Sequence, residues 1–171
     1  MNGAQGWLRR LVSLHLAGRS HFPPQMGLDD AAWQALLQDT GHTAPMLSTW
    51  QLEQQKLLGL LQQTRTRERE QLARWLSQSQ VPEAAPMHAL IATASMGFDH
   101  LWQDLGLDSR AELRDLMTDC FPELVRLNHQ NMRWKKFFYR QQCIGSLGEI
   151  VCRSPSCNEC CEWNTCFAPE E

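Results

Sequence analysis

From Phe121 to Cys143 the chain reads FPELVRLNHQNMRWKKFFYRQQC. Positions three or four residues apart in this stretch lie on one face of an α-helix, and most of them are apolar. The positions that share this spacing are Leu124, Leu127, Asn131, Trp134 and Phe138. The stretch therefore predicts one helix that starts near Glu123 and ends near Cys143, with Gly145 and Gly148 just beyond its end.

The rest of the chain also has the composition of a helical protein. The whole chain contains one tyrosine, and it lacks the sustained alternation of apolar and polar residues that a half-buried strand needs. At 171 residues it has about the length of one domain. We predict an all-α fold, an irregular helical bundle over residues 1–145 with a loop at 77–86. A cysteine-rich, largely non-helical tail over residues 146–171 is expected to pack on the same domain.

Local signals mark several helix ends. Asp29 and Asp30 are expected to cap the start of a second helix, and Gly41 its end. Ser109 followed three residues later by Glu112 is typical of a capping box. In the segment Thr64–Glu70, TRTRERE, arginine and glutamate alternate at helical spacing. That pattern is typical of a solvated helix face or of a joint between two helices, and we favour it over a nucleic-acid or partner site.

Charge and hydropathy exclude several classes of protein. The net charge of −3 gives the chain no basic surplus for binding nucleic acid. It has no run of about 20 apolar residues that could span a membrane, and its N-terminal apolar run includes Arg9 and Arg10, unlike a signal peptide. We expect a cytoplasmic protein that binds neither nucleic acid nor membrane.

The cysteines are concentrated at one end of the chain. All seven lie at or after Cys120, and five fall within the last 20 residues. An odd number of cysteines in a chain without a secretion signal argues against a disulfide framework. The segment CRSPSCNECCEWNTC contains the spacing C-x4-C-x2-C-x5-C. Its members are Cys152, Cys157, Cys160 and Cys166.

Thiolates are soft ligands that select zinc, copper(I) or iron–sulfur units. Four of them within 15 residues are typical of an iron–sulfur loop more than of a zinc site, whose ligand pairs usually lie further apart. Cys161 could replace Cys160 in an alternative register. Cys157 and Cys160 also form a C-x-x-C pair that could do dithiol redox chemistry, but the βαβ context of thioredoxin-like proteins is missing.

Other residues are candidates for a secondary role at this site. Cys143 could approach the cluster or be a small buried apolar residue, whereas Cys120 is expected in the core. His100 and His129 are candidate additional metal ligands, although lone histidines in helical proteins are more often packed or at the surface.

Charge is uneven around the cysteines. Residues 123–140 contain five basic residues and one acidic residue, for a net charge of +4, and residues 146–171 have a net charge of −4 before any thiolate is counted. A basic helix beside a tetrathiolate site would stabilise an anionic cluster or attract an oxyanion such as molybdate. The alternative is that the basic residues form the solvated face of a helix whose other face is core.

These segments resemble a known family. The run NMRWKKFFYRQQC at 131–143, followed by CRSPSCNECCEWNTCF at 152–167, is similar to the C-terminal half of the nitrogen-fixation NifQ family. HLWQDLGLDSRAEL at 100–113 and FPELVRLN at 121–128 resemble the same family. The resemblance covers residues 98–168. Within the run at 100–113 we expect Trp102 and Asp104 to contribute to packing.

The resemblance implies a soluble accessory protein, not an enzyme, that binds a molybdenum–iron–sulfur cluster. Such a protein supplies molybdenum for the iron–molybdenum cofactor of nitrogenase, with the scaffold NifEN and the reductase NifH as partners and molybdate or a reduced molybdenum source as supply. The family's cluster ligands correspond to Cys152, Cys157, Cys160 and Cys166. Two other functions are compatible with the residues alone, a zinc-stapled helical interaction protein and a redox regulator.

Overall fold

The computed structural model describes residues 3–43 and 46–142 with their side chains, the backbone of 143–147, and residues 166–167. Within these ranges every regular element is helical, which confirms the all-α prediction. None of the described helices is long and apolar enough to cross a membrane. Residues 148–165, most of the predicted non-helical tail, lie outside the described residues. The helices are α1 Ala4–Leu16, α2 Asp30–Thr40, α3 Thr49–Gln62, α4 Thr66–Ser77, α5 Met87–Ser95, α6 Leu101–Leu105, α7 Arg110–Cys120, α8 Pro122–Leu127 and α9 Trp134–Leu147.

The chain divides into two compact units, residues 1–125 and 126–171. In the first unit α5 is the central helix, and α4, α6 and a 3-10 turn at Pro24–Gly27 pack against it. The C-terminal two thirds of α5 are mostly apolar, and a helix segment of this kind is stable when neighbouring elements cover it. Its buried residues are Met87, Leu90, Ile91, Ala92, Thr93, Ala94 and Ser95.

Helix α1 is held to the rest of the first unit by buried apolar residues and by polar contacts. The Trp7 indole N–H donates to the Asp119 carboxylate over 2.7 Å. Arg10 forms ion pairs with Asp108, at 3.0 Å, and with Glu112. The contacts join α1 to α7 and to the turn before it, more than 90 residues away in sequence, so the N-terminal helix is an integral part of this unit.

The predicted caps are largely confirmed. The Asp29 side chain accepts a hydrogen bond from the Ala32 N–H over 2.8 Å at the start of α2. Gly41 ends that helix with φ of 72°, a left-handed conformation that glycine adopts without strain. Ser109 accepts from the Glu112 N–H over 3.1 Å and caps α7. In a complete capping box the Glu112 side chain would accept from the Ser109 N–H, but here it accepts from the Asp108 N–H instead.

The arginine-rich segment is a joint between two helices, as predicted. A 3-10 turn at Gln63–Arg65 connects α3 to α4. The Arg65 guanidinium pairs with Glu68 at 2.9 Å and also donates to the Met96 carbonyl over 3.0 Å. The segment therefore closes the joint with one local ion pair and one hydrogen bond to a residue 31 positions away.

The prediction of one helix from Glu123 to Cys143 is wrong. The structure has two helices, α8 and α9, separated by residues 128–133. The Asn128 side chain accepts from the Met132 N–H and donates to the Met132 carbonyl, both at 2.8 Å, and Asn131 has φ of 57°. An asparagine that satisfies neighbouring backbone groups competes with helical hydrogen bonding, and this one closes a turn. Leu127, within the predicted apolar stripe, is consequently 55% exposed.

Helix α3 has an unusual distribution of side chains. Trp50, Leu57 and Leu60 are exposed, by 76%, 56% and 61%, whereas the amides of Gln55 and Gln62 are buried. Both polar atoms of the Gln62 side chain are buried without a hydrogen-bond partner among the described residues. Apolar residues at helical spacing usually mark a buried face, but on α3 the opposite face is the buried one.

Replacing Gln62 with methionine is expected to raise the free energy of unfolding by about 1 kcal/mol. The change removes a buried amide whose desolvation is not offset by hydrogen bonds and keeps a similar volume. Urea unfolding measures the effect. Gln63→Met, at an exposed neighbouring position, is the control and should change stability little. If Gln62→Met lowers the free energy of unfolding while Gln63→Met does not, the Gln62 amide has hydrogen-bond partners in the folded protein.

His15 is expected to make the fold sensitive to mild acid. Its ring packs edge-on against Phe22 and Trp33, with centroids 5.8 Å apart in both cases, and burial lowers the pKa of His15 from 6.5 to about 4. The folded state therefore holds the neutral ring. Its contribution to stability is complete above pH 6.5 and is lost as the pH falls from 6.5 toward 4, since the unfolded chain takes up the proton first.

Between pH 7 and pH 5 we expect this one group to cost about 2 kcal/mol of stability. Urea unfolding of the wild type and of His15→Gln at both pH values isolates the contribution of His15 to this loss of stability. A glutamine side chain cannot titrate, and all other titratable groups are common to both chains. Equal losses in the two chains would contradict the assignment.

Candidate metal centre

The structure places one of the four predicted cluster ligands. Cys152, Cys157 and Cys160 lie outside the described residues, as does Cys161. Cys143 belongs to α9 by its backbone, and its side chain is also outside the described part. Cys166 is described and is partly exposed. The choice between Cys160 and Cys161 as third ligand therefore stays a prediction.

Cys166 lies beside the start of α9. Its backbone carbonyl accepts a hydrogen bond from the Arg133 N–H over 2.7 Å, and Arg133 directly precedes the helix. The N-terminus of a helix has a partial positive charge. Four basic residues also fall in or next to the first two turns, namely Arg133, Lys135, Lys136 and Arg140. The last cysteine of the motif is thus held near a cationic segment.

Aromatic side chains fix the opposite face of α9. Trp134, Phe137 and Phe138 are at most 3% exposed. The Trp134 and Phe137 rings meet edge to face with centroids 5.5 Å apart, and Trp134 and Phe138 are 5.9 Å apart. The prediction that Trp134 and Phe138 belong to the core is confirmed. Because these residues anchor one side of the helix, its basic residues keep a defined direction.

Cys120 is a core residue, as predicted. It is 0% exposed at the end of α7, and its carbonyl accepts from the Val81 N–H over 3.0 Å. Burial, assisted by the nearby Asp119 carboxylate, raises the pKa of the Cys120 thiol to about 12. A thiol in this environment stays protonated and is a poor metal ligand.

The two candidate histidines are in different units of the fold. His100 precedes α6 in the first unit, and its backbone N–H donates to the Gln103 side chain over 3.1 Å. His129 lies in the turn between α8 and α9, where its ring approaches the Leu127 carbonyl at 3.3 Å. His129 and Arg140 line the same cavity of about 230 Å³. In the described part of the chain neither histidine belongs to a group of three metal-ligating side chains.

The chain was compared with known proteins. A model of the NifQ family matches residues 7–168. The chain is 53% identical to Protein NifQ of Klebsiella pneumoniae over 161 residues, which are 94% of this chain and 96% of that protein. It is 40% identical to Protein NifQ of Azotobacter vinelandii over 172 residues, 96% of this chain and 88% of that protein. The chain belongs to the NifQ family.

The match includes the N-terminal helices. It begins at Trp7, within α1, so the helical first unit is part of the NifQ sequence as much as the cysteine-rich segment is. The resemblance seen in residues 98–168 thus extends over most of the chain. No solved structure matches it significantly.

The structure also brings together three residues that the sequence did not indicate. His21, Asp99 and Asp104 have potential ligand atoms within 4.8 Å of one another. Asp104 was expected to pack and is indeed 1% exposed, but its carboxylate meets the His21 ring at 2.9 Å. His21 and Asp104 are 83 residues apart, and local spacing holds no signal for such a pair.

The Cys120 thiol should resist alkylation in the folded protein. With its pKa near 12, we expect iodoacetamide at pH 8 to modify it about a thousandfold more slowly than in the urea-unfolded chain. Peptide mapping by mass spectrometry follows the two reactions. Modification at the same rate in both states would contradict its place in the core.

Proposed function

We propose that this member of the NifQ family binds a molybdenum–iron–sulfur cluster and supplies molybdenum for the iron–molybdenum cofactor of nitrogenase. Membership of the family implies a role in nitrogen fixation. The observation that carries the finer proposal is the C-x4-C-x2-C-x5-C run of Cys152, Cys157, Cys160 and Cys166 within the matched region.

The chemistry of these donors fits the proposed cluster. Thiolates bind iron in iron–sulfur units, and reduced molybdenum is soft enough to prefer sulfur over oxygen. A cluster with several thiolate ligands is anionic, so cations close to it stabilise it. The hydrogen bond from the Arg133 N–H to Cys166, at the cationic start of α9, supports this location.

The second part of the proposal is the release of molybdenum from the protein. The protein acts as an accessory carrier, delivering molybdenum once per loaded chain, and the proposed recipients are NifEN and NifH. The sequence contains no nucleophile, base or phosphate-binding motif beside the cysteines that would indicate turnover. The proposed supply is molybdate or a reduced molybdenum source, and the basic residues of α9 would attract such an anion.

Anaerobic purification followed by elemental analysis tests the function. We expect iron and molybdenum in the wild-type chain, and we expect Cys157→Ala to lose the cluster's visible absorption and at least half of both metals. Cys120→Ala is the matched control, since it also removes one thiol but from the core of the first unit, and it should keep the cluster.

Two outcomes would reject the proposal. Zinc without iron or molybdenum would indicate a zinc-stapled interaction protein. A cluster that survives in Cys157→Ala with unchanged absorption would show that this cysteine is not a ligand.

A further inference from the structure

Three potential ligands converge in the first unit. His21 lies in the segment after α1, Asp99 between α5 and α6, and Asp104 in α6. The His21 Nδ1 atom is 2.9 Å from Asp104 Oδ1 and 3.3 Å from Asp99 Oδ2. One nitrogen thus faces two carboxylates.

The backbone holds this arrangement. The His21 N–H donates to the Asp104 carbonyl over 2.8 Å, which fixes the histidine over α6. Gly97 leaves space for the carboxylate, because a Cβ at that position would lie 2.5 Å from Asp104 Oδ2. Any larger residue at position 97 would displace the carboxylate, so the fold accommodates the side chain of Asp104 specifically.

Two carboxylates share one imidazole nitrogen in this cluster, and one of the carboxylates is buried. The Asp104 side chain is 1% exposed, while those of His21 and Asp99 are 37% and 56% exposed. Burying a carboxylate is expensive unless it is paired. A single N–H on His21 Nδ1 can point directly at only one of the two carboxylates. A divalent ion could contact both carboxylates and the imidazole at the same time.

The distances also suit a metal ion. An ion about 2.1 Å from each ligand requires neighbouring ligand atoms about 3.0 Å apart in octahedral geometry and about 3.4 Å apart in tetrahedral geometry. The two separations measured from His21 Nδ1, 2.9 and 3.3 Å, each lie within about 0.1 Å of one of these values. A cavity of about 210 Å³, lined by the same three residues and by Gln54, gives room for water ligands.

We propose that His21, Asp99 and Asp104 bind a divalent first-row cation of the Mn²⁺ or Fe²⁺ type. One imidazole and two carboxylates form a nitrogen and oxygen donor set, which favours these ions over the soft metals that thiolates select. The ion links the segment after α1 to α6 and to the turn before it. Its binding therefore stabilises the first unit of the fold.

Titration of the full-length chain with Mn²⁺ tests the site, because Mn²⁺ binds weakly to thiolates and free Mn²⁺ has a strong paramagnetic resonance signal. We expect saturation at one ion per chain. Asp99→Asn, at an exposed position that tolerates substitution, should weaken Mn²⁺ binding at least tenfold. Asp39→Asn is the matched control, since it removes an equal charge from an exposed position on α2, and it should bind Mn²⁺ as the wild type does.

Thermal unfolding gives a second readout. Mn²⁺ should raise the Tm of the wild type and of Asp39→Asn, but not that of Asp99→Asn, since an ion that binds only the folded state stabilises it by mass action. Cys157→Ala should keep full Mn²⁺ affinity. The proposal fails if no saturable binding occurs, if Asp99→Asn binds as tightly as its control, or if Cys157→Ala loses the ion. None of these outcomes depends on whether the tail holds a cluster.

Discussion

The burial of α5 from Leu90 to Ser95 is the constraint on which the first unit depends. Buried polar side chains need hydrogen-bond partners, and the Thr93 and Ser95 hydroxyls donate to the Ala89 and Ile91 carbonyls of the same helix over 2.8 and 2.7 Å. Its small side chains let neighbouring segments approach closely. At Gly27, where φ is 78°, a Cβ would lie 2.8 Å from the Thr93 methyl group. The surrounding helices take their positions from this contact surface.

Two kinds of donor atom occur in separate parts of the chain. The tail holds thiolates, which are soft, and the first unit brings together an imidazole and two carboxylates, which are harder. In the second unit the buried aromatic residues of α9 anchor one face of a helix that also contains several basic residues. The hydrogen bond between Arg133 and Cys166 connects that helix to the cysteine motif. Under the two proposals made above, the softer and the harder metal would bind to different sets of donor atoms.

The sequence predicted those features that depend on local chemistry. Asp29 and Gly41 cap the two ends of α2, and they could be predicted because capping depends only on neighbouring residues. Trp134 and Cys120 are buried, as their apolar character indicated. The break between α8 and α9 was missed, because the apolar spacing continues across it while the Asn128 side chain closes the turn. The contact of His21 with Asp104 could not be predicted, since it depends on how distant helices pack.

The central claim is that the tail thiolates hold iron and molybdenum in one sulfur-bridged unit. X-ray absorption at the iron and molybdenum edges, recorded on the anaerobically purified protein, tests it most directly. The account predicts that both metals are surrounded by sulfur and that each has a metal neighbour just beyond its sulfur ligands. Molybdenum surrounded only by oxygen, or iron without sulfur neighbours, would contradict it.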